Sequence, residues 1–364
     1  MKNPFKFGTV VDDPFFINRR KEIEKVTSFL SGENHLVLIS PRRMGKSSLI
    51  HKAVSSLGRP VIALDMQLMT GPADLAAQML RRIYRIYPQT RLKQHLKRFR
   101  IIPQLSLNPT TGSIDVSFMP GAVSLPILED VLNLAEKLST ANKKLIIVFD
   151  EFQEARRLDE NLLNQLRAIM QHHKMINYVF LGSQESLIRE VFQKKKSPFY
   201  HFAMVMYLKK IEIGEFSEYL EMGFTGVHNE PGRIAGDILE VTRGHPYYTQ
   251  QLAFTVWEMA VSERGQPDMK VDDAVSGLIR MHDMDYERIW MSFNSTDRKV
   301  LLGLSISEQQ PLTAEFMRIW DLNASSTVFS SLKRLMTGGY VIKTDKYELD
   351  DPFFRRWIKE RRER

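Results

Sequence analysis

Three short stretches carry residue types that could act on a phosphate. They are Ser40-Pro41-Arg42-Arg43-Met44-Gly45-Lys46-Ser47-Ser48, then Asp150-Glu151, then Ser183-Gln184. Each follows an apolar run of strand length. In the first, a Pro- and Arg-rich turn leads into a segment that reads as helix. A helix start offers unpaired backbone N–H groups and a positive dipole end, which attract phosphate. Gly45 would let the backbone come close. Lys46 would put a point charge at β/γ oxygens, and Ser47 would give its hydroxyl to Mg²⁺. The pattern G-x-x-x-x-G-K-[ST] asks for Gly at position 40, where this chain has Ser. By itself the stretch also fits a plain strand–turn–helix with a surface lysine.

The second stretch supplies what the first lacks. Lys144-Leu145-Ile146-Ile147-Val148-Phe149 ends in two adjacent carboxylates. Acids at the end of so apolar a run are costly to desolvate without a partner or a task. At the carboxyl edge of a parallel sheet they would face the ligand crevice. Asp150 would hold Mg²⁺ through water, and Glu151 would polarise the attacking water. Two solvated acids at a strand end is the plain alternative. Ser183 or Gln184 could sense the γ-phosphate from a strand lying between the other two.

The elements that position these residues are five apolar strands alternating with helices, which implies a parallel sheet covered on both faces. The strands are read in the apolar run that ends at Ser40, at Pro60 to Asp65, in the run from Lys144 that ends in the two carboxylates, in the run from Asn177 that ends in polar residues at Gly182-Ser183-Gln184, and at Met204 to Ile213. Helices are expected at 20–30, 72–99, 126–140 and 160–174. The later part of the second, Arg91 to Arg100, is basic and amphipathic, either a solvated face or a nucleic-acid contact. Residues 101–118 alternate around Asn108-Pro109-Thr110-Thr111-Gly112, a hairpin signature, read as an insertion spanning about 101–125. Phe15-Phe16 either lines an adenine pocket or anchors the N-terminus in a core.

From 215 to 294 the pattern is all helix, with a turn at Thr242-Arg243-Gly244-His245-Pro246. Gly244 reads as a C-cap and Pro246 as the first residue of the next helix. Residues 295–364 differ again. Three helices, the first capped by Ser295-Thr296-Asp297-Arg298, are followed by a β-hairpin over 338–349. That is a winged helix, with Ser325 to Lys333 as its recognition helix. Its exposed side is thinly basic, and such modules also serve as protein contacts. The expected domains are therefore 1–214, 215–294 and 295–364.

The 364 residues are 43% hydrophobic and 26% charged, with no cysteine. Disulfides and thiolate metal sites are excluded. No apolar run suggests a membrane span, no signal-peptide pattern opens the chain, and a cytoplasmic protein is expected. A net charge of +8 favours anionic partners.

The combination resembles the archaeal-type ATPase family, within the STAND branch of AAA+ NTPases, over nearly the whole chain. Pro41-Arg42-Arg43-Met44-Gly45-Lys46-Ser47-Ser48-Leu49 is similar to the family P-loop, and Phe149-Asp150-Glu151-Phe152-Gln153 to its Walker B motif. Phe16-Ile17-Asn18-Arg19-Arg20-Lys21-Glu22 resembles the N-terminal motif of that group, with Asn18 in place of Gly and Arg20 in place of Glu. Gly244-His245-Pro246 resembles the Gly-x-Pro motif of STAND helical subdomains. The resemblance implies an α/β P-loop NTPase of ASCE/AAA+ type with sheet order 5-1-4-3-2, a helical lid and a winged helix. It implies nucleotide contacts from Phe16, Ile17, Arg19, Ser40 to Ser48, His245 and Pro246. Metal would be held by Ser47 and Asp150, and catalysis would fall to Lys46, Glu151 and Ser183. The cofactors implied are ATP and Mg²⁺, in an ATP-dependent switch. A family segment like Pro-Leu-Tyr-Gly-Arg corresponds to Ser197-Pro198-Phe199-Tyr200-His201-Phe202, which lacks the arginine. DNA, a protein partner or a second copy of the chain are the further expected partners. The alternatives are a winged-helix DNA-binding regulator with a mainly structural nucleotide site, or an interaction scaffold using the hairpin.

Overall fold

The computed structural model describes residues 2–11, 15–17, 19–107, 114–118, 124–262, 270–307 and 309–362. The chain packs as two compact units. One comprises Arg19–Ser40 and Lys46–Leu208; the other comprises Met1–Asn18, Pro41–Gly45 and Lys209–Arg364.

The first unit is α/β. Its strands are β1 (Leu36–Ile39), β2 (Val61–Asp65), the hairpin pair β3 (Gln104–Leu107) and β4 (Ile114–Ser117), then β5 (Leu145–Asp150), β6 (Ile176–Gly182) and β7 (Met204–Tyr207). The five long-range strands form a parallel sheet ordered β2-β5-β6-β1-β7. Counting only these five and reading from the other edge, the order is 5-1-4-3-2, as expected. The central strands β1 and β6 are buried at every residue, and β5 up to Phe149. Continuous apolar runs of this kind suit a sheet covered on both faces. The edge strand β2 alternates instead, and in the other edge strand, β7, only Met206 is buried. Helices α1 (Arg20–Ser31), α2 (Lys46–Ser56), α3 (Pro72–Ile86), α4 (Gln89–Leu96), α5 (Ser124–Leu138), α6 (Ala155–Leu158), α7 (Leu162–Met170) and α8 (Glu185–Phe192) complete the unit.

Two expected elements are corrected. The helix read over 72–99 is broken into α3 and α4 at Tyr87-Pro88. Pro88 forces Tyr87 into extended backbone, φ −111° and ψ 144°. The last strand, read to Ile213, stops at Tyr207, because its one neighbour β1 is itself four residues long. Within the basic stretch, Leu92, Leu96 and Phe99 are buried, and Arg100 is bound to Glu129 and Asp130 at 2.8 Å each. The hairpin is present as β3–β4, paired Gln104↔Ser117 to Leu107↔Ile114. It is tied to α3 by Arg81, which donates to the Val116 carbonyl at 3.2 Å. The turn residues 108–113 lie outside the described residues.

The second unit is helical: α9 (Ile213–Phe224), α10 (Pro231–Thr242), α11 (Pro246–Ser262), α12 (Val271–Ser292), α13 (Ser295–Ile306), α14 (Ala314–Ile319), α15 (Ser325–Thr337), the hairpin β8 (Val341–Lys343) and β9 (Tyr347–Leu349), and α16 (Pro352–Arg362). Residues 295–349 make the expected winged helix. The cap of α13 is Asn294, whose side chain accepts from the Asp297 N–H at 2.9 Å, one residue before the expected capping stretch. The helices of 213–292 and the winged helix share one apolar core, from Phe216 and Leu252 to Leu332 and Trp357. Phe5 also joins it, 2% exposed. Its ring lies on Gly223, where an added Cβ would come within 2.8 Å of Phe5 Cε1. Among the described residues no helix is long and apolar enough to cross a membrane.

Candidate phosphate site

The phosphate-loop stretch starts where the sheet ends. Ser40 is buried and its N–H reaches the Gly182 carbonyl at 3.3 Å, extending the β1–β6 ladder by one residue. Its φ is not positive, so the backbone does not require glycine there. The turn that follows does have left-handed residues, Arg43 at φ 62° and Gly45 at φ 84°. Gly45 is the residue type that adopts this conformation without steric cost. Helix α2 begins at Lys46, and the first N–H groups of any such helix have no acceptor within it. Lys46 is 6% exposed and its Nζ donates to the Ser40 carbonyl at 3.1 Å. Met44 and Ser48 are buried, while Arg42 is exposed.

The carboxylates sit next to this helix start. Ser47 Oγ donates to Asp150 Oδ2 at 3.0 Å, and the Glu151 N–H to Asp150 Oδ1 at 2.9 Å. Burial raises the Asp150 pKa above the usual carboxylate range; the Ser47 hydrogen bond opposes this, and Glu151 adds to it. Glu151 has left-handed backbone, φ 51° and ψ 45°. For a non-glycine residue this costs about 1–2 kcal/mol. Its Oε2 accepts from Ser183 Oγ at 2.6 Å, from the Ser183 N–H at 3.3 Å and from Gln153 Nε2 at 2.5 Å. The carboxylate is therefore held at the end of β6.

Ser47 and Asp150 present two hard oxygens 3.0 Å apart. Among the described residues no cluster of three or more His, Asp or Glu could hold a metal by itself. A Mg²⁺ ion in a phosphate-transfer site needs only one or two protein oxygens, the rest coming from water and phosphate. A buried carboxylate with a raised pKa is also one that a cation would favour in its ionised form. The donor set fits Mg²⁺.

Ile17 is buried in the core of the helical unit and Phe16 is half-buried. Arg19 is 3% exposed and pairs with Glu22 at 3.2 Å. Asn18 lies outside the described residues. Pro246 is the first residue of α11 and His245 is buried before it. Arg43 Nη1 donates to Tyr248 Oη at 3.1 Å. No role for Tyr247, Tyr248 or Gln153 is apparent from residue type. Gln153 follows the carboxylate pair directly, and that proximity is its one signal in the sequence. The two tyrosines stand 205 positions or so from Arg43, with no local pattern to link them.

The comparisons with known proteins agree with this architecture. A family model described as an ATPase domain predominantly from Archaea matches residues 16–252, and one described as a probable winged helix domain matches residues 284–360. Among solved structures, the Walker-type ATPase PABY2304 of Pyrococcus abyssi is 17% identical, with 98% of this chain and 99% of that chain covered and a TM-score of 0.69. The ORC2 protein of Aeropyrum pernix in ADPNP–ADP complexes is 16% identical, with 98% and 96% coverage and a TM-score of 0.54. No curated protein matches the sequence. At these identities the structures speak for the fold: a P-loop NTPase sheet with a C-terminal winged helix.

Proposed function

We propose, from the premise that this chain belongs to the family of ATPase domains predominantly from Archaea, that it is a slow, Mg²⁺-dependent ATP hydrolase working as a nucleotide-driven switch. Membership of a Walker-type ATPase family supports nucleotide binding and hydrolysis at the family level. The observation that carries the finer reading is the bonded set Ser47–Asp150 beside Glu151–Ser183.

In this reading the N–H groups opening α2, with the backbone of residues 41–45, take the phosphates. Lys46 leaves the Ser40 carbonyl for the β/γ oxygens, a stronger, charge-assisted partner. Ser47 and Asp150 would hold Mg²⁺, which when bound supplies positive charge to the phosphate oxygens. Glu151 would accept a proton from the attacking water, with Ser183 and Gln153 leaving its Oε2 to free that oxygen for the task. Ser183, so released, has a hydroxyl to offer the γ-phosphate. Holding the base in a hydrogen-bonded rest position fits a slow enzyme. Phe16, Ile17, Arg19, His245 and Pro246 are proposed to border the nucleotide.

Replacing Glu151 by Gln should leave ATP binding intact and lower turnover by roughly a hundredfold or more, the usual contribution of a positioned general base. Lys46→Ala should abolish binding. Unchanged turnover in Glu151→Gln would remove the assigned role.

A second reading has the winged helix binding DNA. It is favoured by the winged-helix match and the net charge of +8. The outer face of α15 carries Ser325, Ser326, Ser330 and Lys333, but also Phe329, 56% exposed. Arg334 on that helix is committed to Asp297 at 2.7 Å. Phosphate contacts would make affinity fall steeply with salt. A gel shift without binding at ~50 mM salt, where such contacts are strongest, would exclude this reading. A protein partner at the β3–β4 hairpin and self-association are proposed further contacts, and the cytoplasm is the proposed compartment.

A further inference from the structure

Arg43 departs from the rest of the phosphate loop. Its guanidinium Cζ lies 4.6 Å from the centroid of the Tyr247 ring and 5.9 Å from that of Tyr248, while Nη1 donates to Tyr248 Oη at 3.1 Å. The two rings meet edge to face, 5.2 Å between centroids and 89° between planes. They form a corner that the guanidinium fills. The Tyr248 ring then packs on His245 at 4.6 Å and on Phe353 of α16 at 5.7 Å. His245 Nε2 is 3.4 Å from Asp350 Oδ1. Among the described residues neither ring nitrogen nor that oxygen has a hydrogen-bond partner, although all are buried. The next residue, Asp351, accepts from Tyr286 Oη at 3.1 Å and from the N–H groups of Phe353 and Phe354. One chain of contacts thus runs from the loop, through the start of α11, to the turn between β9 and α16.

We propose that Arg43 is a latch joining the phosphate loop to the winged helix, and that nucleotide opens it. This rests on nucleotide entering the loop as proposed above. The tie consists of one hydrogen bond to a neutral phenol and two cation–π contacts, on a side chain still open to solvent. Burial, then Asp351 and Asp350, push the Tyr248 pKa far up, so the phenol stays protonated and offers only a neutral oxygen. Phosphate offers bidentate, charge-assisted hydrogen bonds about twice as strong. Arg43 therefore prefers phosphate once phosphate is present. Its departure removes the cation from Tyr248, and the orphaned His245–Asp350 pair is spaced to close as that ring shifts. A ligand moves an equilibrium only by such differential contacts.

The test uses the full chain, with ADPNP and Mg²⁺ as the probe. Its four tryptophans, Trp257, Trp290, Trp320 and Trp357, all lie in the helical unit. Trp357 packs on Phe354 at 5.8 Å and on Tyr286 at 6.1 Å. Saturating nucleotide should change wild-type tryptophan emission. Tyr248→Phe keeps the ring and its packing but removes the oxygen that holds Arg43. It should bind ADPNP roughly three- to tenfold more tightly, as expected for one lost hydrogen bond in the competing state. Its emission change should be smaller, because the latch is already loosened. Arg43→Lys, which keeps the charge but not the planar fork, should likewise lose most of the emission change. Wild-type affinity and wild-type emission change in Tyr248→Phe, or weaker binding in it, would overturn the latch and leave the ATPase reading standing. A wild-type chain that does not bind ADPNP would overturn both.

Discussion

His35 shows how one side chain outside the phosphate site sets a pH limit on the fold. It precedes β1, its Nδ1 accepts the Tyr178 N–H at 3.2 Å, and its ring packs on Phe202 at 4.6 Å. Burial above all, then Arg167 and His173, lower its pKa from 6.5 to about 4. The folded chain thus keeps this ring neutral while the unfolded chain protonates it. The stability it confers is complete above pH 6.5 and is lost as pH falls from 6.5 towards 4. At about 1.4 kcal/mol per pKa unit, the loss reaches about 3 kcal/mol by pH ~4. Urea unfolding at about pH 7 and about pH 4 should show that wild type loses about this much more than His35→Asn, which keeps an acceptor but cannot titrate. Equal losses would assign the acid sensitivity elsewhere. Asp150 works in the opposite direction: its raised pKa makes the folded state bind a proton more readily, so its protonation favours the fold as pH drops. The placement of positions 46, 47, 150 and 151 at a helix start and a strand end was legible from residue type, because a Gly-Lys-Ser turn and a carboxylate-ended strand are both local patterns. The rest position of Glu151 was not. It depends on Ser183 and Gln153 arriving at one oxygen from two separate segments.

At the scale of elements, patterns that are local in sequence survived best. Buried strands β1, β5 and β6 were readable as unbroken apolar runs, and the hairpin β3–β4 as alternation around a turn. Ends were less legible. Strand β7 is shortened by the length of its neighbour, which no reading of residues 204–213 contains. The break between α3 and α4 was written at Pro88 but was masked by the helical periodicity on both sides. Helix α9 offers a test of packing at this scale. Gly223→Ala would improve helix propensity by up to about 1 kcal/mol. Yet the new methyl would strike the Phe5 ring, and overpacking of this sort costs about 1–3 kcal/mol. A lowered melting temperature is expected, and Phe5→Leu together with Gly223→Ala should recover part of it. An unchanged or raised melting temperature in Gly223→Ala would show that Phe5 can step aside.

For the whole molecule, the sequence order does not follow the compact units. Residues 41–45 group with the C-terminal unit, although both of their neighbours in sequence group with the sheet. No sequence pattern marks this, since it arises from contacts such as Arg43 to Tyr248 that span 205 positions. Ligand linkage gives the matching prediction. Mg²⁺–ADP at about a hundred times its Kd should stabilise wild type by about 2.7 kcal/mol. Thermal unfolding should show the shift in wild type and not in Lys46→Ala. An equal shift in the variant would place the bound nucleotide away from the loop.

The packing of Phe5 on Gly223 has a consequence for how the chain is made. The ribosome delivers Phe5 about 220 residues before its partner surface on α9 exists. At roughly 5–20 residues per second, the segment waits some ten to forty seconds. During that interval the sheet-bearing unit can complete itself from what has already emerged, while the Phe5 ring has no surface on α9 to cover it. The helical unit then closes over a ring made long before its own helices. Synthesis therefore leaves a window in which a trigger-type chaperone, or a bulky tag fused ahead of Phe5, competes with the late helices for the same ring.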